Sequence, residues 1–411
     1  MKAAIVILVF LLVMILTRLS VAVQRFFNGK KLSSASNPQL PKCITPAVHK
    51  LLDELEKPIR FSSLQLKIAT QNFSSFLGAG AYGAVYKGEL PGGFMVAVKV
   101  LNGSSDKKIE DQFLAEVSTI GRTHHINLVL LYGFCFEKDL RALVYEFLEK
   151  SSLDRLLFNG GGDNSTIEWE SLHNIAVGTA RGIAYLHEEC QQRIIHYDIK
   201  PENILLNSEL CPKVSDFGLA KLCNREKTHM TLTEGGRGTP GYAAPEMWMP
   251  FPVSHKCDVY SFGMLLFEIL GRRRNMDENL PESQEWFPKW VWKKFEKGEF
   301  SDLMVVCRIE DKDRDKAERM AMVALWSVQY LPELRPWMSH VVKMLEGGLN
   351  IPRPRNPFQH LTSGSPRSDL VARFIEEACS LKREIARTTS ESFATCPTPT
   401  MQKYEIEIAT L

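Results

Sequence analysis

The chain has 411 residues, more than a single hydrophobic core needs, and this length predicts two packed lobes or domains with flanking segments. Its 50 Lys and Arg residues nearly balance 48 Asp and Glu residues, and the net charge of +2 argues against nucleic acid as a partner. The 9 cysteines are scattered without a C-x-x-C pair, which predicts reduced thiols in a cytosolic domain and argues against a disulfide framework or a zinc site.

An apolar segment from Ala3 to Leu16 opens the chain. Lys2 before it and a small-x-small step after it are typical of a cleaved signal peptide. A membrane anchor needs about 20 residues, which the segment reaches only by extending to Val23 with Arg18 snorkelling towards the headgroups. Basic residues are more numerous after the segment than before it, so the rest of an anchored chain would face the cytosol.

The middle of the chain changes from strand-like to helical patterns. Residues 25–72 are mixed and predict a linker with short helical pieces. Glycine-rich turns separate β-branched runs at 76–103, and 106–121 has a helical period. The segments 128–136 and 142–147 return to strand-like composition.

After Ser151 most patterns are helical. The clearest lie at 172–187, 259–270 and 319–328. A strand-rich part followed by a helix-rich part predicts an α+β fold with a small strand-rich lobe and a large helical lobe. The tail, 349–411, is polar and predicted to be largely disordered, with one amphipathic helix at 370–385 that we expect to dock on its own domain.

The segment L-G-A-G-A-Y-G-A-V, which begins at Leu77 and ends at Val85, contains Gly78, Gly80 and Gly83. A turn without side chains lets backbone N–H groups approach phosphates closely. Glycines also cluster in ordinary loops, and a dinucleotide-binding fold would need them to open a helix. The chain instead continues as a strand after Val85, which favours a hairpin over a nucleotide's phosphates.

Lys99 ends the apolar run V-A-V-K, where a strand face ordinarily keeps one polarity. It is either a surface lysine of an edge strand or a functional cation that needs a carboxylate partner. Glu110, Asp111 and Glu116 in the following helix are the candidates. Helical phase favours Glu116, which falls on the same side as the apolar residues.

Three further motifs follow in chain order: R-I-I-H-Y-D-I-K-P-E-N-I-L-L at 193–206, D-F-G at 216–218 and A-P-E at 244–246. Each tripeptide alone is close to chance, but all five motifs in one order are very specific. The part from about Phe73 to Glu346 resembles a eukaryotic protein kinase domain, which we bound at 73–348. The segments G-R-T-H-H-I-N-L-V (121–129) and R-G-T-P-G-Y-A-A-P-E (237–246) resemble plant receptor-like serine/threonine kinases of the leaf-rust-resistance type.

The resemblance implies ATP and Mg²⁺ as cofactors and protein hydroxyls as acceptors. Asp198 would orient or deprotonate the hydroxyl, and Lys200 would neutralise charge on the transferred phosphoryl group. Lys99, held by Glu116, would grip the α- and β-phosphates. The metal ligands would be Asn203 and Asp216. The nucleotide would contact Leu77, Gly78, Gly80, Gly83, Val85, Ala97, Lys99, Tyr145, Glu146 and Leu148.

The resemblance also implies supporting roles. Tyr145 would sit behind the adenine, with 146–148 as the hinge between the lobes, and Thr239 would face the acceptor hydroxyl. Asp258 would brace the catalytic loop, which the resemblance assigns to the motif at 193–206, and Arg335 would pair with Glu246. Asp258 and Arg335 also fit ordinary charges on a helix surface.

Two features depart from this family's pattern. Its members carry a large ectodomain before the membrane span, and no such segment precedes the apolar segment here, which puts ligand sensing in doubt and leaves a truncated form or a receptor complex as alternatives. Tyr197 stands where many kinases have an arginine that pairs with an activation-loop phosphate. Tyrosine cannot make that pair, which places the chain in the non-RD group, often linked to innate immunity.

The favoured interpretation is a membrane-anchored serine/threonine kinase of receptor-type, defence-related signalling at the plasma membrane. Because its chemistry needs cytosolic ATP, we favour the anchor over the signal peptide and assign it to residues 1–24. The alternative is a pseudokinase scaffold that binds ATP without catalysis, which predicts the loss of a catalytic Lys, Asp or Asn. None is lost.

Overall fold

The computed structural model describes residues 58–80, 83–102, 106–158, 167–224, 238–248 and 252–361. The first of two compact units ends at Pro357 and contains a strand-rich lobe followed by a helical lobe, as predicted. In the second unit a single 3₁₀ turn, Gln359–Leu361, is described. The predicted anchor and the predicted tail helix lie outside the described residues. Within the ranges above, no helix combines the length and apolarity needed to cross a bilayer.

A six-stranded sheet forms the amino-terminal lobe. Its strands are β1 (Ile59–Arg60), β2 (Phe76–Gly80), β3 (Gly83–Leu90), β4 (Phe94–Leu101), β5 (Leu131–Phe136) and β6 (Arg141–Glu146). The spatial order is β1-β5-β6-β4-β3-β2, with β1 and β5 parallel and the other neighbours antiparallel. Lys99 therefore lies on a central strand, opposite Val85 of β3 and Leu143 of β6.

One face of the sheet packs on a short helix, α1 (Ser63–Ala69). Ser62 caps this helix: its hydroxyl accepts the Gln65 N–H at 3.2 Å, and the Gln65 side chain accepts the Ser62 N–H at 2.8 Å. The cap fixes the helix so that Leu66 points into the core. That core consists of Leu66, Val96, Val98, Cys135, Leu140, Ala142 and Val144.

The helix α2 (Asp106–Thr119) occupies most of the predicted 106–121 range and passes into a 3₁₀ turn, Ile120–Arg122. Phe113 and Glu116, three residues apart, are both buried. The Phe113 ring lies 5.4 Å from the ring of Phe134 on β5, which anchors the helix to the sheet. This packing turns Glu116 inward as well.

The strand predicted at 128–136 begins only at Leu131, because the three preceding residues have other partners. Leu128 pairs with Val214 in an isolated parallel bridge. The Leu130 carbonyl oxygen accepts the backbone N–H of Glu146 on β6 at 3.1 Å, but the Leu130 N–H donates to the Glu146 carboxylate at 2.8 Å. Residues 128 and 129 therefore connect the two lobes, and regular pairing with β6 begins at Leu131.

The carboxy-terminal lobe is mainly helical. Its helices are α3 (Leu153–Phe158), α4 (Trp169–Ala184), α5 (Lys256–Gly271), α6 (Glu282–Glu285), α7 (Phe287–Lys297), α8 (Phe300–Val306), α9 (Arg314–Ser327) and α10 (Met338–Leu345). The central helix α5 is buried over nearly its whole length. Gly263 allows α5 to approach the end of α9, since a Cβ there would lie 2.7 Å from Ser327.

Two small antiparallel strand pairs position the loops that carry the sequence motifs at the cleft between the two lobes. They are β7 (Arg193–Ile195) with β10 (Lys221–Cys223), and β8 (Ile204–Leu206) with β9 (Pro212–Val214). The loop between β7 and β8 carries the H-Y-D-I-K-P-E-N motif, and the D-F-G motif follows β9. The pairing of β8 with β9 therefore holds the two motifs side by side.

Candidate active site

Lys99 forms a buried charge cluster with one carboxylate from each side of the cleft. Its Nζ lies 2.6 Å from Oε1 of Glu116 on α2 and 2.7 Å from Oδ1 of Asp216 in D-F-G. Burial alone would lower the pKa of Lys99, but the two carboxylates outweigh it and raise the pKa above its ordinary value. Burial would likewise raise the pKa of Asp216, yet the Lys99 ammonium lowers it overall. Lys99 and Asp216 are therefore charged at neutral pH, whereas burial raises the pKa of Glu116 above its ordinary value although Lys99 lowers it in part.

Glu116 has a second partner that sequence reasoning missed. The Tyr145 hydroxyl donates a hydrogen bond to Oε2 of Glu116, so both carboxylate oxygens are bound. Tyr145 is buried at the end of β6, directly opposite Ala97 of β4. Burial raises the pKa of Tyr145 well above its ordinary value, which keeps this donor protonated.

The catalytic loop brings Asp198, Lys200 and Asn203 together. Asp198 Oδ1 accepts a hydrogen bond from the Thr239 hydroxyl at 2.5 Å. Its Oδ2 lies 2.8 Å from the Lys200 ammonium and 3.0 Å from Nδ2 of Asn203. Lys200 also donates to the Thr239 hydroxyl at 2.8 Å, so a hydroxyl, a carboxylate and an ammonium already meet at one point.

The donor set of the cleft fits a hard divalent cation. The amide nitrogen of Asn203 is committed to Asp198, which leaves its Oδ1 as the atom available to a metal. Asp216 adopts a left-handed backbone conformation (φ 63°), and its side chain stays 26% exposed beside Lys99. The described residues hold no cluster of three or more His, Cys, Asp or Glu side chains with metal-binding geometry. An amide oxygen and a carboxylate, completed by phosphate oxygens, are the ligands such a cation takes.

Most residues predicted to contact a nucleotide lie on the strands next to Lys99. Gly83 has φ 148° and a Cβ there would lie 2.1 Å from the Val100 carbonyl oxygen, so only glycine fits. The side chain of Glu146 is bound instead to Lys213 Nζ at 2.9 Å, so a nucleotide contact at this position would come from its backbone. The others are Leu77, Gly78 and Gly80 on β2, Val85 on β3, Ala97 on β4, and Leu148 just after β6.

Asp258 braces the catalytic loop from α5. Its Oδ1 accepts the Tyr197 N–H at 2.8 Å, and its Oδ2 accepts the His196 N–H at 2.8 Å and lies 2.9 Å from Nε2 of His187. Burial would raise the pKa of Asp258, but the hydrogen bond from His187 lowers it overall. The carboxylate is therefore an ionised acceptor for two consecutive backbone donors of the loop.

A second buried ion pair holds the A-P-E motif. Arg335 donates to Glu246 through both terminal nitrogens, with Nη1 2.6 Å from Oε1 and Nη2 2.9 Å from Oε2. Both side chains are buried, so Arg335 is not the ordinary helix-surface charge that the sequence analysis left open as an alternative. This pair anchors the end of the segment that presents Thr239.

Tyr197, the residue in the place of the usual arginine, is buried in an apolar cluster. Only 2% of it is exposed, and its hydroxyl has no hydrogen-bond partner among the described residues. The other members of the cluster are Ile195, Cys223, Ala244, Met247, Val253 and Cys257. The Tyr197 side chain therefore contacts apolar groups from both ends of the segment between the D-F-G and A-P-E motifs (216–246), here called the activation segment.

A two-lobed fold with this Lys–Glu–Asp cluster above an Asp–Lys–Asn loop defines a protein kinase. The chain belongs to the protein tyrosine and serine/threonine kinase family, whose family model matches residues 71–345.

Curated relatives are plant receptor-like kinases. The chain is 44% identical over 308 residues to the rust resistance kinase Lr10 of Triticum aestivum, across 74% of this chain and 48% of the relative. It is 44% identical over 340 residues to the G-type lectin S-receptor-like serine/threonine-protein kinase SD2-5 of Arabidopsis thaliana, across 82% of this chain and 40% of the relative. A PR5-like receptor kinase of Arabidopsis thaliana is 43% identical, across 72% of this chain and 45% of the relative. The chain spans less than half the length of these relatives.

Proposed function

We propose that this protein is a serine/threonine protein kinase that transfers the γ-phosphoryl group of ATP, with Mg²⁺, to protein hydroxyls. The observation that carries the proposal is the Thr239 hydroxyl, which donates to Asp198 Oδ1 at 2.5 Å beside the Lys200 ammonium. An acceptor serine or threonine needs the same environment for its own hydroxyl.

The proposed reaction uses Asp198 as the group that orients and deprotonates the acceptor. The acceptor oxygen attacks the γ-phosphorus, its proton passes to Asp198, and the bond from the γ-phosphorus to the bridging oxygen breaks to release ADP. Lys200 offsets charge on the transferred group, and Lys99 binds the α- and β-phosphates. Mg²⁺ would be held by Asp216 and Asn203 and would neutralise phosphate charge.

The alternative is a pseudokinase scaffold. The kinase and the scaffold can be separated by measuring phosphate transfer from radiolabelled ATP. The assay compares the purified 411-residue chain with its Asp198→Asn variant. Acid-stable phosphoserine or phosphothreonine made by the parent chain and not by the variant supports the kinase. ATP binding without transfer by either protein supports the scaffold.

We further propose that residues 1–24 anchor the protein in the plasma membrane with the kinase domain in the cytosol. The apolar run and the excess of basic residues after it support this placement. Resistance of the intact chain to alkaline extraction, lost in a chain without residues 1–24, would support an anchor. A mature amino terminus near residue 23 would instead identify a cleaved signal peptide.

The similarity to a rust resistance kinase supports the proposal that this protein acts in plant defence signalling, with receptor-complex partners.

We propose that this kinase is of the non-RD type and does not need a phosphate paired with its catalytic loop. The support is Tyr197, an uncharged side chain packed among apolar groups. Full activity after phosphatase treatment is the expected result, and activity that returns only on activation-loop phosphorylation would contradict it.

A further inference from the structure

Arg274, in the segment after α5, connects three parts of the chain around the catalytic loop. Its Nη1 donates to Glu202 Oε1 at 2.8 Å and to the Tyr242 hydroxyl at 3.4 Å. Its guanidinium lies over the Phe158 ring at 4.1 Å. The side chain is thus held by the catalytic loop, the activation segment and α3, so its position is defined.

This position is close to the place of the acceptor hydroxyl. Glu202 lies in the 3₁₀ turn Pro201–Asn203, four residues after Asp198. Tyr242 is one turn after Thr239, since its N–H donates to the Thr239 carbonyl oxygen at 3.1 Å. The ends of such a turn are within about 7 Å, and an extended peptide advances about 3.3 Å per residue. Side chains a few residues from the acceptor therefore reach Arg274.

The guanidinium keeps donors for a ligand. Both hydrogen bonds of Arg274 come from Nη1, and the structure shows none from Nε or Nη2 to any residue that it describes. The side chain remains 45% exposed. A planar fork of N–H donors fixed at one end matches a carboxylate or a phosphate group.

Glu202 is already occupied in part, although its side chain is 36% exposed. Its Oε1 is bound to Arg274, and its Oε2 is buried without a hydrogen-bond partner among the described residues. Glu202 therefore positions Arg274, and the pair offers a substrate the guanidinium N–H donors that make no bond to a described residue.

We propose that Arg274 determines substrate specificity by binding an anionic side chain, a carboxylate or a phosphorylated residue, two to four residues from the acceptor hydroxyl. This inference rests on the proposed kinase function. It makes Arg274 a substrate-binding residue and Glu202 the residue that positions it.

The test uses the full-length chain and synthetic peptides with one threonine in an otherwise neutral sequence. Glutamate, phosphoserine or arginine is placed singly at each position up to four residues on either side, and kcat/KM is measured. We expect kcat/KM to be about 10-fold higher for glutamate than for arginine at one or more positions, as a charge-assisted hydrogen bond implies. Phosphoserine at the same position distinguishes the two anion sources, because preference for it alone would identify previously phosphorylated substrates.

The discriminating measurement is the ratio of kcat/KM for the glutamate peptide to that for the arginine peptide in variants. Arg274→Ala should reduce this ratio to about 2 or less, and Arg274→Lys, which keeps the charge without the fork, should give an intermediate value. Arg274→Gln keeps hydrogen-bond donors to Glu202 and serves if Arg274→Ala unfolds. The matched control is Arg353→Ala, which removes a guanidinium that lies over the Phe295 ring at 5.6 Å and donates to the Glu296 carbonyl oxygen, and it should leave the ratio unchanged.

An undiminished ratio in Arg274→Ala and Arg274→Gln, or a parent enzyme indifferent to charge at every position, would overturn the inference while leaving the kinase intact. Absence of transfer from the parent chain to every peptide would instead overturn the proposed function together with the inference.

Discussion

The hydroxyl of Tyr145 donates a hydrogen bond to Glu116, so the carboxylate that holds Lys99 is itself held from the end of β6. Glu116 is fully buried, and both of its oxygens are bound. The inward position of α2 therefore depends on two donors rather than on the lysine alone. Loss of either donor leaves a buried carboxylate oxygen without a partner.

Tyr145→Phe should destabilise the kinase domain by about 1–3 kcal/mol, the cost of leaving a buried acceptor unsatisfied. It should also raise the KM for ATP, because Glu116 then holds Lys99 less firmly. Urea unfolding and steady-state kinetics measure the two effects. Tyr86→Phe is the matched control, because the Tyr86 hydroxyl makes no hydrogen bond to a described residue. Equal stability of Tyr145→Phe and the parent would contradict the role assigned to this hydroxyl.

Tyr197→Phe should leave the stability unchanged or raise it by about 1 kcal/mol, since it removes a buried hydroxyl without a partner among the described residues. Tyr197→Arg should destabilise by about 3–5 kcal/mol, because it places a charge in an apolar cluster. Thermal unfolding and phosphate transfer compare the two variants. A Tyr197→Arg protein as stable and active as the parent would show that the cluster does not position the activation segment.

Local patterns predicted the strand-rich and helical lobes, and the choice of Glu116 over Glu110 and Asp111 followed from helical phase alone. Contacts distant in the sequence were not accessible in this way. The bond between Tyr145 and Glu116 spans 29 residues, and the pair of Arg274 and Glu202 spans 72. No periodicity connects such positions, because they meet only once the sheet and α5 have packed.

The prediction that β5 begins at residue 128 was wrong, because contacts distant in the sequence again decided the outcome. Residues 128–130 have strand-like composition, but the Leu130 N–H donates to the Glu146 side chain and Leu128 pairs with Val214. Composition predicts an extended conformation and does not identify the partner of each backbone group. Strand-like composition therefore did not determine the residue at which regular pairing in the sheet begins.

Glu246→Gln should destabilise the protein by about 3–5 kcal/mol, because it leaves the Arg335 guanidinium charged and buried without its counter-ion. Adding Arg335→Met should recover part of that loss, since no lone buried charge remains. Recovery should be incomplete, because Arg335 also donates to the carbonyl oxygens of Gln329 and Lys256. A double-mutant cycle by urea unfolding measures the coupling, and strictly additive losses would contradict it.

Glu268 should make the stability depend on pH. It is buried under Tyr242, whose hydroxyl donates to its Oε2 at 2.8 Å, while the Asn275 N–H donates to Oε1 at 3.0 Å. Burial raises the pKa of Glu268 from 4.5 to about 7, although these two hydrogen bonds lower it in part. The folded protein therefore binds this proton more tightly than the unfolded chain does.

Between pH 4.5 and about 7 the folded state holds more protons at Glu268, so this residue's contribution to stability is complete below pH 4.5 and declines as the pH rises to about 7. The total change is at most about 3 kcal/mol. Glu268→Gln should remove this component, which urea unfolding at a series of pH values detects as a smaller decline than in the parent. The exposed Glu296→Gln is the matched control and should keep the parent's profile, while the same profile in Glu268→Gln would contradict the raised pKa.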